Sequence, residues 1–433
     1  MIEPKIISGS KPADVASFVE GSVFVLYDAA VASGAGEIIA AIPEVKGCIG
    51  IDVSEQAKCM DTVLMICRSM LEAGVGRGDT LICVGGGITS DIGGFAASIY
   101  KRGIPYINVP TTLLSQVDAG IGGKNGVNFD GYKNMLGTIV QPLFTFVCPA
   151  FLQTLPRREF LCGMAEMLKT FLLVDEGLYS EAVGLFPDER PSRTKTFSPE
   201  KRSKKFCPTP VEFSSGEMDK FVGLVLKAAE IKAAVVREDP YEKGRRAILN
   251  LGHTFAHAIE SLAAAKGDDI AHGEAVSMGI VLAARLGDRL GGIDTGAGLE
   301  ARIRSDFERI GLPVDCPYGL DEMAPAMAKD KKGARFVLLE AIRGVHAFRK
   351  GRMELFANPA PGSIIPLETA NRAITGYIRQ KPGTGGGIAV LGNTDMANPQ
   401  PFSPPHSGTR TDLLGGGTLP DVLAPAQVVA YEI

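Results

Sequence analysis

Residues Thr80–Tyr100 read TLICVGGGITSDIGGFAASIY and join two kinds of local pattern across three glycines. Thr80–Val84 is a short apolar run that predicts a buried strand, and Asp91–Tyr100 has the apolar spacing of a helix. Pro105–Val109 predicts the next strand. Short apolar strands that alternate with helices favour a parallel sheet covered on both faces. Because such sheets bind ligands at the carboxyl ends of their strands, Gly85–Gly87 mark one edge of an expected site.

The same alternation is present on the N-terminal side of this stretch. Ser22–Tyr27 and Lys46–Asp52 predict strands, and Asp61–Gly74 predicts a helix that ends at a glycine. From about Leu152 the pattern changes to long stretches with helical spacing. These stretches are Arg157–Leu173, Glu217–Arg237, Arg245–Ala265 and Glu274–Leu290. We therefore expect an α/β, Rossmann-like N-terminal domain followed by a mostly α-helical C-terminal domain.

We place the expected domains at 1–150, for the α/β part, and at 151–380, for the helical part. Residues 381–433 form a tail that is rich in glycine and proline, and we expect it to be flexible. Pro187–Ser215 contains prolines and a basic run, which predicts an exposed loop or insertion. The alternative for this segment is a docking site for an acidic partner.

The composition excludes several classes of protein. The chain has 433 residues, of which 45% are hydrophobic and 22% charged, and its formal net charge is −4. This balance excludes a disordered chain and argues against a protein that coats nucleic acid. No apolar run reaches the roughly 18 residues of a transmembrane helix, and the N-terminus has no signal-peptide pattern. The eight cysteines are scattered without a CxxC pair, so we expect reduced thiols in a cytoplasmic protein.

Three of the five histidines lie close together in the sequence. His253 and His257 are four residues apart on a predicted helix and project from one face, and His272 begins the next predicted helix. Imidazole is the commonest protein ligand for a divalent metal, and one carboxylate would complete a three-ligand site with an open position. Glu166, on the helix predicted at Arg157–Leu173, is a candidate for that carboxylate. The alternative is that these histidines are ordinary helix-face or capping residues.

Polar side chains continue the histidine pattern toward the N-terminus. Glu242, Arg246, Asn250, His253 and His257 follow one another at helical spacing. An apolar core would not place five polar groups on one helix face, so the stripe predicts the wall of a pocket for a polyanionic, polyhydroxylated ligand. Cationic residues are frequent near these motifs. They are Arg102, Lys124, Lys133, Lys169, Lys232, Arg245 and Arg246.

Two glycine clusters point to anions. VGGGITSD follows a strand, where glycines let the backbone approach a phosphate, although it lacks the GxGxxG spacing of the usual dinucleotide fingerprint. A plain strand-to-helix turn is the alternative. GIGGKNG places Lys124 among glycines, as in a loop that faces an anion.

Six segments together resemble the 3-dehydroquinate synthase family. The resemblance extends from about Val23 to Arg343, and its motifs are long and occur in the family's order. The segments are GGGITSDIGGFAASIYKRG, VPTTLLSQVDAGIGGKNGVN, KNMLG, GMAEMLK, KAAVVREDPYEKGRRAILNLGHTFAHAIE and HGEAVSMG. The resemblance implies a dehydroquinate synthase-like fold and a homodimer, while the charge balance and the lack of a long apolar run predict no nucleic-acid or membrane partner.

The activity that the resemblance implies is that of a lyase of the shikimate pathway, which serves aromatic amino-acid biosynthesis. Such an enzyme converts 3-deoxy-D-arabino-heptulosonate 7-phosphate, a sugar phosphate, into 3-dehydroquinate and phosphate. The reaction combines NAD-assisted oxidation, phosphate elimination, re-reduction and intramolecular aldol closure. The implied cofactors are NAD and Zn²⁺, and a site of two histidines and a glutamate also accepts cobalt or iron.

The resemblance also implies roles for individual residues. As metal ligands it assigns Glu166, His253 and His272. The residues that it assigns to NAD are Asp28, Glu55, Lys58, Gly86, Gly87, Asp91, Thr111, Thr112 and Asp118. The residues that it assigns to the substrate are Arg102, Lys124, Lys133, Asn134, Lys232 and Lys332, with Lys331 as the alternative to Lys332. The catalytic set that it assigns is Lys169, Arg246, Asn250 and His257. In this set Arg246 would pair with the substrate carboxylate in a bidentate way.

Three alternatives remain open from the sequence. Related cyclases that act on sedoheptulose 7-phosphate or glucose 6-phosphate share the zinc and NAD sites, but their substrates lack the carboxylate. A polyol dehydrogenase of the same fold would release NADH, and a non-catalytic binding protein would have lost ligands. The chain departs from the family at Asn125, where threonine is usual, in a longer interval between His253 and His272, and in the insertion and tail.

Overall fold

A computed structural model describes residues 3–186, 213–289 and 298–328, together with strand segments between 335 and 432. The chain forms two compact units. Met1–Thr170 and Arg190–Arg246 make up the first, and Phe171–Glu189 and Ala247–Ile433 make up the second. The helix α4, Arg157–Val174, runs through the division and so belongs to both units. Among the described residues, no helix combines the length and the apolar character that crossing a membrane requires.

The first unit contains a six-stranded sheet in the order β1-β8-β5-β4-β2-β3, and every neighbouring pair in it is parallel. The strands are β1 (Ile6–Ser8), β2 (Val23–Asp28), β3 (Val45–Ile51), β4 (Thr80–Gly85), β5 (Tyr106–Pro110) and β8 (Thr145–Val147). The predicted parallel sheet is therefore confirmed. The sequence did not predict β1 and β8, which have only three residues each.

Helices cover both faces of this sheet because its central strands are apolar on both sides. The helices are α1 (Ala32–Ala41), α2 (Met60–Glu72) and α3 (Gly87–Ile99). Leu81 and Cys83 of β4 belong to the core that α2 and α3 form, whereas Ile82 and Val84 belong to the core on the α1 side. Leu81, Ile82 and Val84 each contribute about 1.5–3 kcal/mol when fully buried.

A β-hairpin takes the place of the anion-facing loop expected at GIGGKNG. Its strands are β6, Lys124–Phe129, and β7, Tyr132–Ile139, paired so that Lys124 lies opposite Ile139. Asn125 is buried beside α3, where its amide nitrogen donates to the hydroxyl of Tyr106 at 3.1 Å and to the carbonyl of Val140 at 3.0 Å. Asn125, where the family usually has threonine, therefore has hydrogen-bond partners for its buried amide within the unit.

The division into units differs from the boundary that we expected at residue 150. The first unit also contains most of α4 and all of α6, Ser215–Glu238. The reason is that α6 packs against β1 and against the turn Ser115–Ala119, which follows β5.

The second unit is mainly helical where it is described, as predicted. Its further helices are α5 (Glu176–Gly184), α7 (His253–Lys266), α8 (His272–Arg289), α9 (Leu299–Ile310) and α10 (Leu320–Ala328). The single helix predicted at Arg245–Ala265 is wrong. A 3-10 turn, Arg245–Asn250, precedes α7, and Gly252 separates them with a φ of 77°. Only glycine fits Gly252, because a Cβ there would lie 2.7 Å from the backbone nitrogen of Ile280.

The C-terminal part adds antiparallel strands that the sequence did not predict. They are β9 (Arg335–Ala341), β10 (Gly344–Arg349), β11 (Arg352–Leu355), β12 (Ile364–Leu367), β13 (Ile374–Gln380), β14 (Gly387–Asn393), β15 (Gln400–Pro401), β16 (Val422–Leu423) and β17 (Val428–Glu432). Within the tail expected to be flexible, β14 pairs with β17. Lys331, Lys332 and residues 187–212 of the predicted insertion lie outside the described residues.

Candidate active site

The edge of the parallel sheet carries the residues that the sequence assigned to NAD. Asp28 ends β2, Glu55 follows β3, and Thr111 follows β5. The backbone nitrogen of Thr111 donates to the carbonyl of Gly85 at 2.9 Å, which holds the ends of β4 and β5 together. These positions belong to the carboxyl ends of parallel strands and therefore share one edge of the sheet.

Gly86 and Gly87 form a tightly packed turn at this edge of the sheet. Gly86 precedes α3, which begins at Gly87, and no side chain caps the helix. A Cβ on Gly86 would lie 3.2 Å from Cγ2 of Thr112, and a Cβ on Gly87 would lie 3.0 Å from Cβ of Ala119. Side chains would therefore crowd this turn, while the uncapped amides of α3 suit the pyrophosphate of a dinucleotide.

Lys58 connects two groups of predicted site residues. Its ammonium lies 2.5 Å from the carboxylate of Asp91 and 2.5 Å from Oδ1 of Asn134. Burial raises the pKa of Asp91 to about 6, although Lys58 opposes the shift. Asn134 adopts a φ of 51° on β7, and its backbone nitrogen donates to Asn128, which in turn donates to Glu55 at 2.8 Å. The hairpin is thus tied to the predicted NAD residues.

A buried charge cluster surrounds Asp118, in the π-helical turn Ser115–Ala119. The ammonium of Lys232 lies 2.5 Å from the Asp118 carboxylate, and that of Lys169 lies 3.5 Å from it. Lys169 also forms an ion pair with Glu166, and the side chains of both are 1% exposed. The four residues bring two cations and two carboxylates together in the first unit.

The pKa values in this cluster shift in opposite directions. Burial raises the pKa of Asp118, but Lys169 and Lys232 lower it overall. For Lys232, burial lowers the pKa and Asp118 only partly opposes that shift. For Lys169, burial also lowers the pKa, but Asp118 and Glu166 together raise it overall. Such shifts are typical of functional sites.

Arg246 is buried in the same unit. Its guanidinium donates to the carbonyl of Pro240 at 2.8 Å and to that of Gly122 at 3.3 Å. Gly122 has a φ of 121°, and a Cβ at this position would overlap the Arg246 guanidinium. Nearby, the ammonium of Lys124 forms an ion pair with Glu242. Gly122 of GIGGKNG therefore makes room for the Arg246 guanidinium, whereas the motif had predicted a loop that faces an anion.

The second unit groups the three histidines. His253 begins α7 and His272 begins α8, and their ring centroids are 5.4 Å apart. The ring of His257, one turn along α7, is 5.7 Å from that of His253. Nδ1 of His253 lies 3.1 Å from the carbonyl of Leu251, and Nδ1 of His272 lies 3.4 Å from a carboxylate oxygen of Glu260. Acceptors at Nδ1 orient both rings to present Nε2, as in many metal sites.

Glu166, His253 and His272 each offer one ligand atom, and these atoms all lie within 4.8 Å of one another. The structure thus brings together the three residues that the sequence proposed as metal ligands. Two imidazoles and a buried carboxylate are the donor set of catalytic zinc sites, which keep the fourth position open.

Other predicted residues lie at the surface or make local contacts. Arg102 is exposed and lies beyond the C-terminal end of α3, about 20 Å from Gly87 at the helical rise per residue. Lys133 is exposed on β7. The amide nitrogen of Asn250 donates to the carbonyl of Ala247 at 3.2 Å, within its own 3-10 turn.

Sequence reasoning missed the roles of two glutamates. Glu260 follows His253 by seven residues on α7, so helical spacing alone would have placed it on the same face, toward His272. Glu242 was noted only as part of a helical stripe, and its partner Lys124 is 118 residues away. No local pattern in the sequence connects the two.

Two family models match the chain along most of the described part. A model described as 3-dehydroquinate synthase N-terminal matches residues 48–162, and one described as 3-dehydroquinate synthase C-terminal matches residues 163–333. Both the glycine turn after β4 and the three proposed metal ligands lie within these matches.

Similar proteins carry related names. The 3-dehydroquinate synthase of Geobacter metallireducens is 36% identical over 300 residues, which are 68% of this chain and 76% of that protein. The 3-dehydroquinate synthase of Pyrococcus furiosus is 40% identical over 278 residues, which are 64% of this chain and 72% of that protein. Among solved structures, a 2-epi-5-epi-valiolone synthase from Streptomyces hygroscopicus, with NAD⁺ and Zn²⁺ bound, has a TM-score of 0.65 at 27% identity and covers 83% of this chain and 94% of its own.

Proposed function

The chain belongs to the 3-dehydroquinate synthase family, and from this we propose that it converts 3-deoxy-D-arabino-heptulosonate 7-phosphate into 3-dehydroquinate and phosphate. The observation that carries the proposal is the meeting of Glu166, His253 and His272 in a chain that also keeps a glycine turn for a dinucleotide. A phosphate-eliminating lyase of this family needs both.

The cofactors follow from the donor sets. We propose that Glu166, His253 and His272 hold Zn²⁺, with Co²⁺ as an alternative, and that the carboxyl ends of β2 to β5 hold NAD. The similar valiolone synthase binds the same two cofactors. When bound, NAD takes up and gives back a hydride while zinc acts as a Lewis acid.

The residues of the chain would bind and orient the substrate. Lys169 and Lys232 are buried ammonium groups that would attract the phosphate, and Arg246 has the planar guanidinium that pairs with a carboxylate in a bidentate way. His257, one turn from His253, would hold or move a proton at an imidazole nitrogen. A ketone would acidify the C–H beside it, and loss of that proton would allow phosphate to leave from the following carbon, so most of the work of these groups is positioning.

A coupled assay tests the proposal. The purified protein, loaded with NAD and Zn²⁺, is incubated with the heptulosonate while phosphate and NADH are both measured. We expect phosphate release that a chelator abolishes, without net NADH. Steady accumulation of NADH would instead indicate a polyol dehydrogenase, and failure to release phosphate would support a non-catalytic binding protein.

A second cyclase activity is the nearest rival, because the similar solved structure is a valiolone synthase. Arg246 argues against a substrate without a carboxylate, since it is 4% exposed and its loop is built to hold it. Sedoheptulose 7-phosphate offered under the same conditions decides between the two. A higher kcat/KM for this sugar than for the heptulosonate would overturn the assignment.

We further propose a homodimer formed through the β6–β7 hairpin. Phe129 and Tyr132, paired at the turn of the hairpin, are 54% and 59% exposed, and Ile139 at its other end is 43% exposed, so large apolar side chains face outward along its whole length. Near the C-terminal end of α3, the hydroxyl of Thr138 on β7 donates a hydrogen bond to the hydroxyl of Ser98. Arg102 follows the same end of α3, so it would contact a second copy of the chain docked on the hairpin. Sedimentation of Tyr132→Glu should show a shift toward monomer, and an unchanged dimer would contradict this interface.

A cytoplasmic location is also part of the proposal. The described cysteines are all free thiols, as expected for a protein of a reducing compartment. Fractionation of cells that produce the full chain with a small tag is the direct measurement. Recovery in a secreted or membrane fraction would contradict it.

A further inference from the structure

We propose that Glu242 is a built-in counter-anion, which occupies Lys124 until the phosphate of the substrate displaces it and so limits how tightly the product phosphate is held. The proposal rests on the proposed function, because that function supplies the phosphate. It goes beyond that function by giving a role to a carboxylate that none of the assigned ligand or cofactor contacts uses.

The ion pair between Lys124 and Glu242 is asymmetric. The side chain of Glu242 is only 7% exposed, whereas that of Lys124 is 51% exposed. A buried carboxylate is costly unless it is paired, so Glu242 holds the lysine rather than the reverse. Lys124 remains accessible from solvent and is able to contact an incoming anion.

The backbone around Glu242 is built to keep it in place. Glu242 has a φ of 55°, a left-handed backbone conformation that is unusual for residues other than glycine and asparagine. The carboxylate of Asp239 accepts hydrogen bonds from the backbone nitrogens of Lys243, Gly244 and Arg246 at 2.9, 2.7 and 3.0 Å. Strained residues that neighbouring hydrogen bonds hold in place are concentrated at functional sites.

A second cation lies in the field of the same carboxylate. Burial lowers the pKa of Arg246, and Glu242 is the strongest of the carboxylates that oppose this shift. The hydrogen bonds of Arg246 to Gly122 and Pro240 go to neutral carbonyls, so its charge is compensated by nearby carboxylates, of which Glu242 has the largest effect. Glu242 therefore moderates the positive potential at both Lys124 and Arg246.

Removing this charge should tighten anion binding. In Glu242→Gln, the ion pair between Lys124 and Glu242 is lost, and inorganic phosphate no longer competes with this carboxylate for the ammonium. Charge-assisted hydrogen bonds are among the stronger ones, so the Kd for phosphate should fall about tenfold or more. Because product then leaves more slowly, kcat should fall while kcat/KM is maintained.

The test compares calorimetric titrations of inorganic phosphate into the full-length wild type, Glu242→Gln and Glu238→Gln. Glu238 is the matched control, since it pairs with Arg245 in the same segment but both side chains are about half exposed. We expect tighter phosphate binding only for Glu242→Gln. If that variant does not fold, Glu242→Gly removes the same charge, suits the positive φ and carries the same expectation.

Each outcome bears on one proposal alone. Phosphate binding that is unchanged or weaker in a folded Glu242 variant would overturn the counter-anion role, even with an active wild type. A wild type that releases no phosphate from the heptulosonate would count against the proposed function, while the titrations would still decide about Glu242. In the double variant with Lys124→Met, the gain in phosphate affinity should disappear.

Discussion

Two buried carboxylates of the first unit, Asp79 and Asp118, both pair with lysines but have different surroundings. Asp79 accepts hydrogen bonds from the ammonium of Lys46 at 2.6 Å, from the backbone nitrogen of Gly76 at 2.5 Å and from the hydroxyl of Ser22. Asp118 contacts two ammonium groups and also lies in the field of Glu166.

The difference separates a structural cluster from a functional one. Around Asp79 there is one lysine for one carboxylate, and neutral donors supply the remaining hydrogen bonds, so the charge is satisfied within the fold. Around Asp118 the pKa values of the two lysines are shifted in opposite directions by burial and by the carboxylates. A buried group whose charge depends on several neighbours responds to a ligand, whereas a satisfied pair responds only to unfolding.

The largest expected effect is at Glu166, where the functional cluster meets the histidines. Glu166→Gln removes an anionic ligand and should abolish retention of Zn²⁺ and reduce kcat by about 1,000-fold or more, as expected for loss of a metal that stabilises charge in the transition state. Metal content after gel filtration, with NAD binding measured separately, checks this. Asp79→Asn is the matched control and should keep its metal. Equal zinc in Glu166→Gln and wild type would contradict the ligand assignment.

Lys232 should show that the functional cluster is not needed for folding. Lys232→Met removes a buried ammonium whose pKa is already lowered by burial, while Asp118 keeps Lys169. We expect kcat/KM to fall by about 100-fold or more, as for other preorganised charges, and unfolding in urea to change little. Lys46→Met, in the structural cluster, should show the opposite combination. Loss of stability in Lys232→Met with unchanged kcat/KM would remove the distinction between the clusters.

Asp79→Asn should reduce stability without affecting catalysis. The change keeps the shape of the side chain but removes the charge that Lys46, Gly76 and Ser22 satisfy. We expect the free energy of unfolding to fall by about 1 to 2 kcal/mol, with kcat and KM unchanged. Urea denaturation and steady-state kinetics on the same preparation provide the measurement. A changed kcat would show that this cluster also acts on the substrate.

Local patterns predicted the sheet because its strands are short apolar runs that are buried on both faces. They also pointed to a metal site, since His253 and His272 lie close together in the sequence and Glu166, on a long regular helix, was a candidate for the carboxylate. They failed at Gly252, where the apolar spacing continues through a break that the close approach of Ile280 requires. The hairpin was missed because β7 is exposed along most of its length and lacks the apolar pattern of a buried strand.

Contacts between distant residues had no signal in the sequence. Lys58 meets Asn134 across 76 positions, and Lys124 meets Glu242 across 118. Each residue is an ordinary charged or polar side chain in its own segment, and only the packing of β6 and β7 beside α3 brings Lys58 and Asn134 together. Individual charges could therefore be predicted as site residues, but their partners could not.

The smallest expected effect is a pH dependence that differs between two buried carboxylates. Burial raises the pKa of Asp79, but Gly76, Lys46 and Ser22 lower it overall from 3.8 to about 2. A folded-state pKa below the unfolded value adds stability above the unfolded pKa, and this stability is lost as the pH falls through the folded value. The difference in unfolding free energy between wild type and Asp79→Asn should therefore shrink from about pH 4 toward pH 2.

Asp91, in the same unit, has a pKa shift opposite in direction to that of Asp79, so the pH dependence of its contribution to stability has the opposite sign. Its pKa is raised by burial from 3.8 to about 6, so its ionised form opposes folding and wild type should gain stability relative to Asp91→Asn as the pH falls from about 6 to 4. Urea denaturation of the three proteins from about pH 6 to about pH 2 makes the comparison, because the Asp91 effect falls in the upper half of this range and the Asp79 effect in the lower half. Parallel profiles for Asp79→Asn and Asp91→Asn would mean that burial and pairing do not separate the two carboxylates, because only opposite shifts give slopes of opposite sign.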